Sequence, residues 1–167
     1  MKAMKNIVLI GMSGCGKTTL GRMIAQKLSM KFADTDEMIE KKEGKKIKDI
    51  FAENGEGYFR DLETLAAKEI SKFKNYVIST GGGIILKDEN MQYLKQNSVI
   101  IYIKRSVQSI KQTIDASNRP LLSSGLKRLY EMEKERTPVY EKYADIVVIN
   151  EEEPEKAVNE IINYIIN

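Results

Sequence analysis

The sequence predicts a three-layer α/β/α fold around a five-stranded parallel sheet. Short apolar, β-rich runs recur at 6–10, 76–80, 98–104 and 146–149, and the stretches between them carry helical spacing. Such alternation of strands and helices is the pattern of a parallel sheet covered by helices. A shorter run at 31–34 supplies the fifth strand. At 167 residues the chain suits one well-buried core and is short for two, so 1–167 are expected to form a single domain.

Seven helices are predicted, at 17–29, 36–43, 56–72, 88–96, 107–114, 126–143 and 154–166. Between Asp115 and Gly125 runs a polar stretch in which Pro120 biases Arg119 away from helical geometry. It is the candidate lid, at about 113–125. No repeat, low-complexity tract or linker interrupts the chain.

Composition narrows the function. With 42% hydrophobic and 31% charged residues the chain is of ordinary folding type, and no apolar run approaches the roughly 18 residues of a membrane span. The basic start Met1-Lys2-Ala3-Met4-Lys5 leads into a short strand pattern rather than a signal-peptide core, so a cytoplasmic protein without a membrane partner is expected. A single cysteine, Cys15, agrees with a reducing compartment. The lack of histidine excludes His-based triads and argues against zinc chemistry. The net charge of +3 is scattered among acids, which disfavours nucleic acid and suits small anionic ligands.

Directly after the first strand comes Gly11-Met12-Ser13-Gly14-Cys15-Gly16-Lys17-Thr18, which matches G-x-x-x-x-G-K-[ST] and opens a helical stretch. Glycines let backbone N–H groups turn inward, and the helix N-terminus adds partial positive charge beside a phosphate. Lys17 is expected to reach the β- and γ-phosphates of ATP, and the Thr18 hydroxyl to ligate Mg²⁺. Cys15 reads as a small residue fitting a tight loop, and a thiol reagent is expected to compete there with ATP.

Further chemistry follows along the chain. In Asp34-Thr35-Asp36 two carboxylates two apart on an extended strand point the same way. Asp34 would then hold Mg²⁺ through water and Asp36 accept a hydroxyl proton; the alternative is that Asp36 only caps the next helix. Arg60 and Glu63 at i and i+3 read either as a surface ion pair or as a carboxylate-binding fork with its support. Gly81-Gly82-Gly83 leaves the backbone bare for a ligand. Arg119 is either a lid arginine that closes on the phosphoryl group or a solvated loop charge, and Arg136 is ambiguous alone.

In this order the P-loop, Asp34-Thr35-Asp36, Phe59-Arg60-x-x-Glu63, Ser79-Thr80-Gly81-Gly82-Gly83, Arg119-Pro120-Leu121-Leu122 and Arg136-x-Pro138-x-Tyr140 resemble the shikimate kinase family. The resemblance implies phosphorylation of the shikimate 3-hydroxyl by ATP, a step toward the aromatic amino acids, on a fold similar to nucleoside monophosphate kinases. It implies that Gly14, Cys15, Gly16, Lys17, Thr18, Thr19 and Arg119 contact ATP. Asp36, Arg60, Gly81, Gly82, Gly83 and Arg136 would bind shikimate, with both arginines on its carboxylate. Thr18 and Asp34 would serve Mg²⁺, and Asp36, Lys17 and Arg119 the chemistry. Many relatives carry an adenine-packing arginine seven residues before the lid arginine; here Gln112 stands there. Glu151-Glu152-Glu153 before Pro154 read as acids opening a helix, with no binding role. A monomer is expected.

Rival readings fare worse. No Asn-Lys-x-Asp signature supports a GTPase, and no apolar strand ending in Asp-Glu supports a nucleic-acid-driven ATPase. A gluconate or nucleotide kinase is the nearest competitor, and paired Arg60 and Arg136 favour a small carboxylated polyol.

Overall fold

The computed structural model describes residues 4–116 and 123–167. Five strands, β1 (Asn6–Ile10), β2 (Lys31–Asp34), β3 (Tyr76–Ser79), β4 (Ser98–Lys104) and β5 (Ile146–Ile149), form one sheet in the order β2-β3-β1-β4-β5. Every pairing is parallel, with Val8 opposite Ile78 on one side and Ile100 on the other.

Alternation along the central strands builds the two outer layers. Val8 and Ile10, Ile78, Ile100 and Tyr102 face one way and pack with residues of α3 (Ile47–Ile70), α4 (Asp88–Lys95), α5 (Val107–Ala116) and α6 (Ser123–Tyr143). Ile7 and Leu9, Val77, Ile101 and Ile103 face the other way, onto α1 (Lys17–Lys27) and α7 (Pro154–Ile166). Strands buried on both faces must be apolar throughout, which is why they read as continuous runs. Truncating one of these isoleucines to alanine costs about 2–5 kcal/mol.

A third, smaller cluster of Ile39, Ile50, Phe59 and Ala66 ties α2 (Thr35–Glu43) to α3. Here the structure corrects the predicted helix 56–72. Helix begins at Ile47, breaks at Gly55 (φ 84°, ψ 172°) and resumes to Ile70. Only glycine adopts that backbone at low cost, and the two segments meet at an angle there.

Helices α5 and α6 also run further than predicted, to Ala116 and from Ser123, so the expected lid at about 113–125 is helical in its described part. Arg119 and Pro120 lie outside the described residues. Among the described residues no helix is long and apolar enough to cross a membrane. Pro154 opens α7 as expected, but Glu151 bonds elsewhere. It accepts hydrogen bonds from the Ser106 backbone N–H and, at 2.5 Å, from Ser109 Oγ at the start of α5.

Candidate active site

The C-terminal ends of β1, β2 and β3 open into a cleft of about 400 Å³, as expected for the carboxyl edge of a parallel sheet. Its walls include Gly14, Gly16, Lys17, Thr18 and Thr19 of the phosphate loop, Asp34 and Asp36 after β2, and Gly81 and Gly82 after β3. A larger groove of about 670 Å³ lies between β2, α2 and α3 around Phe32, Met38 and Leu62. It holds no residue of the phosphate loop, so the smaller cleft is the candidate site.

The phosphate loop is shaped by Gly16, which is the N-cap of α1 in the left-handed region (φ 102°) and offers no capping side chain. The first N–H groups of α1 therefore face the cleft without a side-chain partner, an anion site by construction. Lys17, nearly buried, donates to Gly11 O at 2.5 Å and Met12 O at 2.9 Å. It lies folded along its own loop. Cys15 is 1% exposed, its sulfur 3.6 Å from Lys17 Nζ. A thiol reagent expected to compete with ATP there reaches this sulfur only when the loop opens.

Thr18 Oγ1 donates to Asp34 Oδ2 at 3.0 Å, and Ser79 Oγ lies 3.4 Å from the same hydroxyl. A hydroxyl paired with a carboxylate is an oxygen donor set that fits a hard divalent cation. Asp34 also caps α2, its Oδ1 accepting from the N–H groups of Asp36 at 2.8 Å and Glu37 at 3.3 Å. Capping thus falls to Asp34, and Asp36 does not share an extended strand with it. β2 ends at Asp34 and Asp36 stands in the first turn of α2, yet both carboxylates reach the cleft.

Asp36 is the group most altered by this setting. Burial, then repulsion from Asp34 and Glu63, raises its pKa from 3.8 to about 6, against the opposing pull of Lys17. Its Oδ1 is buried without a hydrogen-bond partner. Such an atom is costly to leave unpaired and is poised to accept a ligand hydroxyl.

Arg60 and Glu63 do not form the surface pair that helical spacing alone allows. Glu63 is fully buried and Arg60 Nη1 donates to its Oε1 at 2.6 Å, while Arg60 Nη2 reaches Glu56 at 3.1 Å. Burial works against charge on both: it raises the Glu63 pKa, with Arg60 and Arg136 pulling it back, and it opposes the Arg60 charge that Glu63 and Glu56 hold in place. The guanidinium lies directly over Gly83, where a Cβ would collide with Nη1, and Arg136 Nη1 would stand 3.6 Å from a Cβ on Gly82. At Gly83 the approach is one that only glycine admits, while the Arg136 distance is ordinary contact. Tyr140, fully buried, fixes this loop by donating to Gly82 O at 2.6 Å.

Comparison with known proteins settles the family, because the shikimate kinase family model matches residues 13–166. The chain belongs to the shikimate kinase family. A curated shikimate kinase of Clostridium botulinum is 48% identical over 165 residues, 98% of this chain and 99% of that relative. One of Persephonella marina is 42% identical over 164 residues, 97% and 99% of the two. The shikimate kinase from Acinetobacter baumannii, solved in complex with shikimate, superposes with a TM-score of 0.90 at 34% identity, covering 98% of this chain and 93% of that one. A gluconokinase from Sinorhizobium meliloti, at 15% identity and TM-score 0.66 over 99% and 94% of the two chains, shares the fold alone. A P-loop kinase fold of the nucleoside monophosphate kinase type accords with the shikimate kinase neighbours.

Thr113 of α5, which the sequence reading did not single out, lines the cleft. Sequence reasoning also passed over Arg105 and Asn150. Arg105 Nη1 donates to Gly14 O at 3.1 Å and Asn150 Nδ2 to Cys15 O at 2.9 Å. The available signal was their place directly after β4 and β5.

Proposed function

We propose that this shikimate kinase family enzyme transfers the γ-phosphoryl group of ATP to the 3-hydroxyl of shikimate, giving shikimate 3-phosphate and ADP on the route to the aromatic amino acids. The observation that carries the reading is the glycine loop 81–83, over which Arg60 and Arg136 converge opposite Asp36. Two guanidinium groups above a bare backbone suit a small ring bearing a carboxylate, and a fork that Glu63 already holds loses little entropy on binding it.

In this reading Arg60 and Arg136 take the acceptor carboxylate, and Gly81, Gly82 and Gly83 give the ring its floor. Asp36 accepts the proton of the acceptor hydroxyl, whose oxygen attacks the γ-phosphorus as the bond to the β-phosphate oxygen breaks and ADP leaves. Lys17 moves from the Gly11 and Met12 carbonyls to the β- and γ-phosphates, where its charge offsets what develops in the transfer. The loop N–H groups of Gly14 and of Gly16 to Thr19 cradle the phosphates, Cys15 packs within the loop beside them, and Arg119 adds a second cation from the lid. Thr18 and, through water, Asp34 would hold Mg²⁺, which when bound neutralises phosphate charge and aligns the donor. We further infer a cytoplasmic monomer without nucleic-acid partners, in keeping with a scattered net charge of +3 and one unpaired cysteine.

The test is ADP release from Mg-ATP with shikimate, gluconate, nucleoside monophosphates or no acceptor, repeated with Asp36→Asn. Turnover with shikimate alone, abolished in the variant, is the expected result. Turnover with another acceptor would leave a P-loop kinase with a different substrate, and acceptor-independent hydrolysis would leave an ATPase.

A further inference from the structure

Arg105 and Asn150 hold two successive carbonyls of the phosphate loop. In a trans peptide the carbonyl and the following N–H point in opposite directions, so a carbonyl held on one side of a loop fixes the next N–H on the other. Arg105 holds the Gly14 carbonyl, and the following N–H, that of Cys15, closes the turn onto Met12 O at 3.1 Å. Asn150 holds the Cys15 carbonyl, which turns the following N–H, that of Gly16, away from the clamp. Asn150 is itself fixed: it is 8% exposed, its backbone N–H donates to Lys104 O at 2.9 Å, and its Nδ2 would stand 2.6 Å from a Cβ on Gly16. Arg105 carries a buried Nε with no partner and lines the cleft beside the loop.

We propose that Arg105 and Asn150 are positioning residues for the phosphoryl donor, a two-point clamp that keeps the empty loop in its nucleotide-ready shape. This rests on the kinase reading above. The adjoining strand ends thereby supply preorganisation that the glycine-rich loop cannot supply for itself.

The experiment is calorimetric titration of ADP and, separately, of shikimate into wild type, Arg105→Met, Arg105→Lys, Asn150→Ala and the Arg105→Met/Asn150→Ala double variant. Each neutral single variant is expected to weaken ADP about 5- to 20-fold, the effect of one lost hydrogen bond to a loop that must then be ordered on binding. Shikimate affinity stays within about twofold, Arg105→Lys recovers part of the loss, and the double variant loses less than the product of the two singles. ADP affinity unchanged in both single variants overturns the clamp. Loss in Arg105→Met with none in Asn150→Ala also overturns it, making Arg105 a direct nucleotide contact. Should Asn150→Ala not fold, hydrogen exchange at residues 14–16 of nucleotide-free Arg105→Met decides: faster exchange supports the clamp and unchanged exchange rejects it. Wild type that binds neither ADP nor shikimate would instead strike at the kinase reading.

Discussion

Asp36 and Glu63, from different helices, each turn a buried and unpartnered carboxylate oxygen toward Gly81. A Cβ there would lie 2.6 Å from Asp36 Oδ1 and 3.2 Å from Glu63 Oε2. Gly81→Ala must therefore displace the proposed base. Because a misplacement of about 1 Å can cost about 10²-fold, kcat/KM for the acceptor is expected to fall by that order. ADP affinity, measured by titration, should not change.

The raised pKa of Asp36 makes both stability and turnover depend on pH. An acid whose pKa is higher folded than unfolded binds its proton more tightly in the folded state. Its contribution is favourable at low pH and is lost as pH rises between about 4 and about 6. Asp36→Asn removes the buried charge and is expected to stabilise the protein by about 1–2 kcal/mol at pH 8, discounted for partial exposure. Thermal unfolding should show a higher Tm than wild type at pH 8 and a smaller difference at pH 5. The same variant should lose about 10²- to 10⁴-fold in kcat. Wild-type kcat/KM should decline as pH falls through about 6, which an initial-rate profile would record.

Arg60 holds the fold together beside its proposed part in binding. Glu63 is fully buried and takes its hydrogen bond from Arg60, so Arg60→Met strands a carboxylate in the interior at a cost of about 3 kcal/mol. Urea unfolding should show the loss, and adding Glu63→Gln should restore part of it. Shikimate KM should remain high in the double variant, which separates the binding role from the structural one.

Tyr140→Phe leaves the Gly82 carbonyl without its 2.6 Å partner. The expected cost is about 1–2 kcal/mol of stability. Shikimate KM is expected to rise several-fold with ATP KM unchanged, since the loop it releases is the proposed acceptor floor. Steady-state kinetics in both substrates checks this.

Chemistry carried by neighbouring residues was legible in the sequence. The phosphate loop is eight consecutive residues between a strand and a helix, and the strands are apolar runs because both their faces are buried. What escaped depends on packing. Helical spacing could not tell that the Arg60–Glu63 pair is buried, because that follows from α3 lying against the glycine loop. The break at Gly55 hid the first two turns of α3, and the turn after Asp34 ends the extended geometry that alternation assumed for Asp34 to Asp36, although the predicted helix 36–43 already held Asp36. Arg105 and Asn150 act through backbone carbonyls, for which no residue pattern codes.

The small cluster of Ile39, Ile50, Phe59 and Ala66 joins the helices that carry Asp36 and Arg60, whereas Arg136 stands on α6, which packs through Tyr140 into a large cluster on the sheet. The proposed acceptor pocket is therefore assembled from two separately packed parts of the molecule, and its width answers to how α2 and α3 sit against the sheet.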